Sequence, residues 1–200
     1  MNARPRDLFA GFAIAIAIMV LPGCQPPHTV RRDSSVTPGG KPDSAALANA
    51  EIYRFLNEPG VSVESLAAII ARLPYDSISL RREPCYGTCP MYEATLYKDG
   101  RARYHGERFV ERLGDFTGEV MVQDYARLGY LLDRFGFMTL PDSFSIHATD
   151  LPGATLTAHR SPGGIKSVSD YGYVGPVELW TMREVFDGVL TRIAWKKTGT

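Results

Sequence analysis

The stretch Met91-Tyr92-Glu93-Ala94-Thr95-Leu96-Tyr97-Lys98-Asp99-Gly100-Arg101-Ala102-Arg103-Tyr104-His105-Gly106 decides how this chain folds, because its register can be settled from the residues alone. It reads as two strands around Lys98-Asp99-Gly100. A two-residue Asp99-Gly100 turn would set Leu96 opposite Arg103 and mix apolar and charged side chains on both faces. A three-residue loop with Gly100 in the left-handed conformation pairs Leu96 with Ala102 and Ala94 with Tyr104. Glu93, Thr95, Arg103 and His105 then share the other face. The second register is expected, since it gives the one buried and one wet face of an antiparallel sheet covered on a single side.

Directly before this hairpin stands Cys85-Tyr86-Gly87-Thr88-Cys89-Pro90. Bridged cysteines need Cα atoms about 4.4–6.8 Å apart, whereas four strand steps would separate them by roughly 13 Å. If Cys85 and Cys89 are joined, residues 85–89 therefore form a turn, and Pro90 marks where that turn hands over to the strand. Three states are compatible with the pair: a structural disulfide, a metal site, or a redox-active dithiol made more acidic by Arg81 and Arg82. Cys-x-x-x-Cys-Pro also resembles the copper motif of the thioredoxin-like copper chaperones of respiratory oxidase assembly, which implies Cu(I) held by Cys85 and Cys89, with Met91 or a distant histidine completing the site. That family's motif leads into a helix, and this one leads into a hairpin. His105, His147 and His159 lie at no ligand spacing.

Upstream of the cysteines, Ile78 and Leu80 alternate with Ser77, Ser79 and Arg81 as a strand. Residues 43–74 read as a helical hairpin: one helix from the N-cap Asp43 to Leu56, the stop Asn57-Glu58-Pro59-Gly60, and a second with Val63, Leu66, Ile69, Ile70 and Leu73 at helical spacing up to Pro74. Downstream, a third strand is expected through Phe109 and Val110 to Arg112, then a turn at Leu113-Gly114-Asp115 and a short extended piece near Phe116. Tyr125, Leu128, Leu131, Leu132 and Phe135 form a helical stripe closed by Gly136. Ala154–His159 and Ile165–Val168 are strands joined by Ser161-Pro162-Gly163-Gly164. A last helix opens at Gly175-Pro176, with Leu179, Met182, Phe186, Val189 and Ile193 inward, and ends near Trp195. The expected fold is α+β: an antiparallel sheet with helices packed mainly on one face, preceded by the helical hairpin.

The 200 residues are 44% hydrophobic and carry 22 basic and 22 acidic side chains. That balance provides no field for nucleic acid. Arg4 and Arg6, the apolar run Leu8 to Leu21, and Cys24 read as a secretory leader over 1–23, too short to span a bilayer, which needs about 20 apolar residues. Leu21-Pro22-Gly23-Cys24 resembles the lipobox of bacterial lipoproteins, which implies acylation of Cys24. Gln25, where an inner-membrane retention signal would have Asp, then implies the periplasmic face of the outer membrane, or the outer leaflet of the cell membrane in an organism without one. Residues 24–42, rich in Pro, Gly, Ser and Thr, read as a tether that includes His28, and residues 75–197 as the α+β domain. An uncleaved anchor or an unlipidated secretory leader are the alternatives for the first segment.

No glycine-rich phosphate loop, serine elbow or His-Glu-x-x-His helix occurs in the sequence. Asp150-Leu151-Pro152, Lys166 and Asp170-Tyr171-Gly172 form a second polar set, read as turn-forming aspartates and a solvated lysine rather than as an acid and base. Ile78-x-Leu80, the cysteine motif, the Tyr92–Tyr104 hairpin, Phe137 with Leu140, this polar set and the Trp-ended helix together resemble a bacterial family of uncharacterised domains. Its signature is Cys-[Phe/Tyr]-Gly-x-Cys-Pro followed by a strand and an Asp-Gly turn. The resemblance covers about residues 75–195 and implies architecture and an envelope location, but no activity and no cofactor. The expected function is therefore a lipid-anchored, non-catalytic binding or structural module with a protein or cell-wall partner. The alternative is a thiol-based copper or redox protein.

Overall fold

The computed structural model describes residues 63–199. The leader 1–23 with Cys24, the tether 24–42 and the first helix of the expected hairpin lie outside these residues. The second helix is α1 (Val63–Arg72). It ends where the Leu73 amide bonds the Ile69 and Ile70 carbonyls ahead of Pro74, which has no amide hydrogen to continue the ladder.

The rest builds on one mixed sheet of eight strands in the order β5-β7-β6-β1-β2-β3-β4-β8. In chain order these are β1 (Tyr75–Glu83), β2 (Met91–Tyr97), β3 (Arg101–Arg108), β4 (Gly114–Glu119), β5 (Ser143–Phe144), β6 (Gly153–Arg160), β7 (Gly164–Tyr171) and β8 (Lys196–Lys197). All pairings are antiparallel except β5 with β7. The expected antiparallel sheet is thus mixed at that edge, where the two-residue β5 arrives from the helical side. The hairpin takes the three-residue loop: Leu96 faces Ala102, Ala94 faces Tyr104, and Gly100 has φ 89°.

One face carries Ile78, Leu80, Ala94, Leu96, Ala102, Leu156, Ala158 and Val168, all essentially buried. Helices α2 (Val122–Arg134) and α3 (Val177–Leu190) supply Tyr125, Leu128, Leu132, Leu179, Met182, Phe186 and Val189 to the same core. Each such side chain contributes about 1.5–3 kcal/mol when fully buried. The opposite face is wet and held by hydroxyl ladders, Ser79 with Thr95 at 3.0 Å and Thr157 with Ser167 at 2.8 Å.

Three boundaries differ from expectation. Phe109–Leu113 is a loop rather than a third strand, because β3 already runs to Arg108 and the chain then folds back over Gly106. The last helix stops at Leu190 instead of near Trp195, whose indole N–H bonds the freed Leu190 carbonyl at 3.0 Å. Pro176 caps that helix from outside with extended geometry.

Candidate functional site

Strand β1 leaves the core at Arg82, in phase with Ile78 and Leu80, so its side chain points under the helices rather than to water. In the same cross-strand row stand Asp170 of β7, Ala154 of β6, Arg82, and Tyr92 of β2. Helix α3 runs across these strands and answers the row with opposite charges one turn apart. Arg183 pairs with Asp170, and Asp187 pairs with Arg82 and accepts the Tyr92 hydroxyl. Arg82 also reaches Glu184 at 3.3 Å and donates to the Tyr173 hydroxyl at 2.8 Å. Arg183 stacks 4.2 Å from the Tyr173 ring centroid, and Asp170 accepts the Gly175 amide at 2.9 Å. Two ion pairs of opposite polarity therefore clamp α3 in a single register, since a shift by one turn would set like charges together.

The protonation states follow from this packing. Burial alone would weaken the hold of Arg82 on its proton, but the charge of Asp187, with Tyr173 and Tyr92, outweighs it and holds the guanidinium above its usual range. Burial pushes the Tyr92 phenol up, and the Asp187 carboxylate adds to that. Among the described residues, the Arg183 Nε and Nη2 donors have no hydrogen-bond partner.

Beyond Asp187 the same row opens into a cleft of about 220 Å³. Tyr92 and Tyr104 stack at 5.2 Å on its sheet side, and Trp195 tilts against Tyr104 at 5.5 Å. Phe109, Glu111 and Arg112 form the opposite rim. Two close approaches hold these walls. A Cβ on Gly106 would lie 1.8 Å from the Arg112 carbonyl oxygen, and one on Gly118 would lie 2.4 Å from Ile193 and 3.2 Å from Trp195. The glycines thus let the 109–112 loop and the Trp195 segment lie directly on β3 and β4. Phe109 itself takes φ 55°, a left-handed conformation costly for a bulky side chain. The Tyr104 residue is 9% exposed, and among the described residues its hydroxyl has no hydrogen-bond partner. Burial pushes its acidity down, with Arg112 opposing and Asp187 and Glu111 reinforcing, which places all three charges around it.

At the mouth of the same sheet end, Cys85 and Cys89 form a disulfide with Cα atoms 5.8 Å apart. The loop is tied back by the Tyr86 amide to the Asp150 carbonyl at 3.0 Å and displays Tyr86 at 88% exposure. Residues 76–190 match the family model of a domain of unknown function, DUF6438. The chain belongs to that family. No curated protein matches it.

Within the DUF6438 domain the residues singled out from sequence divide into two groups. The disulfide, its Pro90 and the ends of β1 and β2 gather at the cleft end, with Pro90 lining the cleft. The second polar set does not converge. Asp170 is not a turn residue but lies 2% exposed in β7, bound to Arg183; Lys166 is not free but pairs with Asp142; Asp150 sits in the 145–152 loop at φ 65°. The bridge occupies the Cys85 and Cys89 sulfurs, leaving only Met91 of the three expected sulfur ligands for copper. His105 meets Asp115 at 2.7 Å on the wet face, and His147 is exposed in its loop. No group of three His, Cys, Asp or Glu among the described residues is arranged to hold a metal ion.

A larger depression, about 510 Å³, lies on the wet face over Glu93, Thr95, Arg103 and His105. It is open polar strand surface: of its aromatic residues Tyr97 is covered by Arg101 at 4.9 Å, Tyr104 and Phe116 pack edge to face at 6.2 Å, and His105 is engaged by Asp115. The cleft is the better-built site. Arg82, Tyr104, Asp187 and Trp195 were missed in the sequence, although Arg82 shares the parity of Ile78 and Leu80 and Asp187 follows Phe186 within the apolar stripe of α3.

Proposed function

We propose that this chain is a lipid-anchored cell-envelope protein whose DUF6438 domain is a non-catalytic binding module, held out from the membrane by residues 24–42 and presenting the Tyr104–Trp195 cleft to an envelope partner. Support for the anchor is the leader with Leu21-Pro22-Gly23-Cys24. Gln25 favours the periplasmic face of the outer membrane, or the outer leaflet of the cell membrane where there is only one. The observation that carries the binding role is the cleft itself: two glycine close approaches and a strained Phe109 hold aromatic walls around an unpartnered Tyr104 hydroxyl. Strain of this kind persists where the surroundings over-determine it, often at ligand clamps. A non-catalytic role fits the charge pattern, since Asp187, Arg82, Asp170 and Arg183 are committed to one another, and Tyr92 is held protonated. Groups so paired are poor proton carriers near neutral pH.

Two measurements test the two halves separately. Intact-mass analysis of the mature protein is expected to show a chain that begins at acylated Cys24 and, with Cys24→Ala, no acylation; a chain still starting at Met1 defeats the anchor. In a sedimentation assay, purified soluble domain is expected to pellet with washed envelope fragments and Trp195→Ala to remain in the supernatant. Equal behaviour of the two proteins defeats the binding role of the cleft.

A further inference from the structure

The charges around the cleft are already matched in pairs: Asp187 is bound by Arg82 and Tyr92, and Glu111 lies 3.5 Å from Arg112. An anion entering the cleft meets two wall carboxylates, Asp187 and Glu111; a cation meets the Arg112 guanidinium, and the carboxylates it would seek are already compensated, Asp187 by the buried Arg82 outside the lining and Glu111 by Arg112. Neither is favoured. An uncharged ligand avoids both difficulties, and four aromatic side chains, Tyr92, Tyr104, Phe109 and Trp195, ask that it present an apolar face. The polar groups ask for more than apolar contact. The Tyr104 hydroxyl has no partner among the described residues, and the Asp187 carboxylate, with about four lone-pair sites, has accepting capacity left beyond its two partners. A ligand without hydroxyls would bury these groups unpaired, which binding penalises. At about 220 Å³ the space is smaller than the pockets of roughly 300–1,000 Å³ that take drug-sized molecules, so it admits a single ring.

We propose that the cleft binds one neutral pyranose ring of a glycan, with the C–H face of the sugar against Trp195 and Tyr104 and its hydroxyls directed to Tyr104, Asp187 and Thr191. This names the ligand class of the binding module proposed above and rests on that reading. A neutral six-membered sugar combines an apolar face, a polar edge and no charge, which is the combination the cleft selects. The pair Arg82–Asp187 then has a second role beyond docking α3: it fixes the carboxylate so that its free lone pairs stay turned toward the ligand.

The test uses the full chain with Trp180→Phe, which leaves Trp195 as the sole indole of the two in the chain. Its fluorescence is titrated with methyl β-glucoside and with methyl N-acetyl-β-glucosaminide, and, in parallel, with tetramethylammonium chloride and N-acetyl-phenylalanine amide. At least one glycoside is expected to give a saturable change with Kd on the order of 1 mM. Tyr104→Phe keeps the ring and removes only the unpartnered hydroxyl, so it is expected to weaken that binding about tenfold with an unchanged melting temperature. The proposal is overturned by no saturation with either glycoside, by tighter binding of the ammonium ion or the phenylalanine amide, or by an unaltered glycoside titration in Tyr104→Phe. Failure here, with Trp195-dependent sedimentation intact, removes the sugar assignment and leaves the binding module; loss of both removes the module as well.

Discussion

Removing one member of the buried pair Asp170–Arg183 is expected to damage the domain more than removing both. The two side chains are 2% and 1% exposed, and among the described residues each is the only opposite charge bonded to the other. Arg183→Met strands a carboxylate with the Gly175 amide as its remaining donor. Asp170→Asn strands a guanidinium whose Nε and Nη2 already lack partners. Uncompensated buried charge of this kind costs about 3–5 kcal/mol. For a domain of this size that corresponds to a fall of roughly 10–20 °C in melting temperature. The double variant buries neither charge, eliminates the two unpartnered donors, and keeps an amide oxygen to accept from Gly175. Its expected cost is about 2 kcal/mol or less, because well-packed neutral replacements of buried ion pairs are often close to neutral. Urea unfolding followed by circular dichroism, with the disulfide oxidised, measures all four proteins at constant m-value. The reasoning is refuted if each single change costs under about 1 kcal/mol, or if the double variant loses the sum of the two.

Glycines supply a second contrast. Gly188→Ala in α3, where the new methyl meets only Arg192 Nη1 at 4.0 Å, is expected to stabilise by about 0.5–1 kcal/mol, whereas Gly106→Ala, which strikes the Arg112 carbonyl, should cost at least about 2 kcal/mol and open the cleft. Similar melting temperatures for the two variants would defeat the close-approach argument. Breaking the disulfide with Cys85→Ser and Cys89→Ser together is expected to cost about 2 kcal/mol by loop entropy, leaving glycoside and envelope binding in place. Copper titration of the reduced wild-type chain checks the thiol alternative, with a thiolate charge-transfer band at micromolar metal as the result that favours it. Burial raises the phenols of Tyr92 and Tyr125 above the ordinary value near 10, so the unfolded chain releases those protons first. Stability is then fully present below about pH 10 and falls by about 1.4 kcal/mol per pH unit for each tyrosine above it. Reversible ionisation of all ten tyrosines with the circular dichroism intact would contradict this.

The hairpin, β1, β6 and β7 are legible in the sequence because a sheet covered on one side writes its burial as strict alternation, and Asp99-Gly100 leaves one register that keeps the faces pure. The disulfide turn is legible as a conditional: joined cysteines four apart exclude a strand. Phe109-Val110 misleads because β-prone residues read the same in a strand and in a cleft rim. What separates them is the contact of Gly106 with Arg112, a tertiary fact. The clamp on α3 escapes notice because charged residues are read as solvated by default, although Arg82 and Asp170 stand in phase with Leu80 and Val168. Strands of two residues, β5 and β8, are too short for any period to show. The cleft draws its walls from β2, β3, the 109–112 loop and the Trp195 segment, so no local stretch announces it.

Photo-crosslinking in living cells tests most directly that the cleft end is where the domain meets its partner. A photoreactive phenylalanine analogue is placed at Phe109 on the cleft rim or, as a control, at Ile165, an exposed position at the opposite end of β7. The account predicts a discrete adduct from position 109, lost when Trp195→Ala is added, and none from position 165. Adducts from position 165 alone, or from 109 regardless of Trp195, would contradict it.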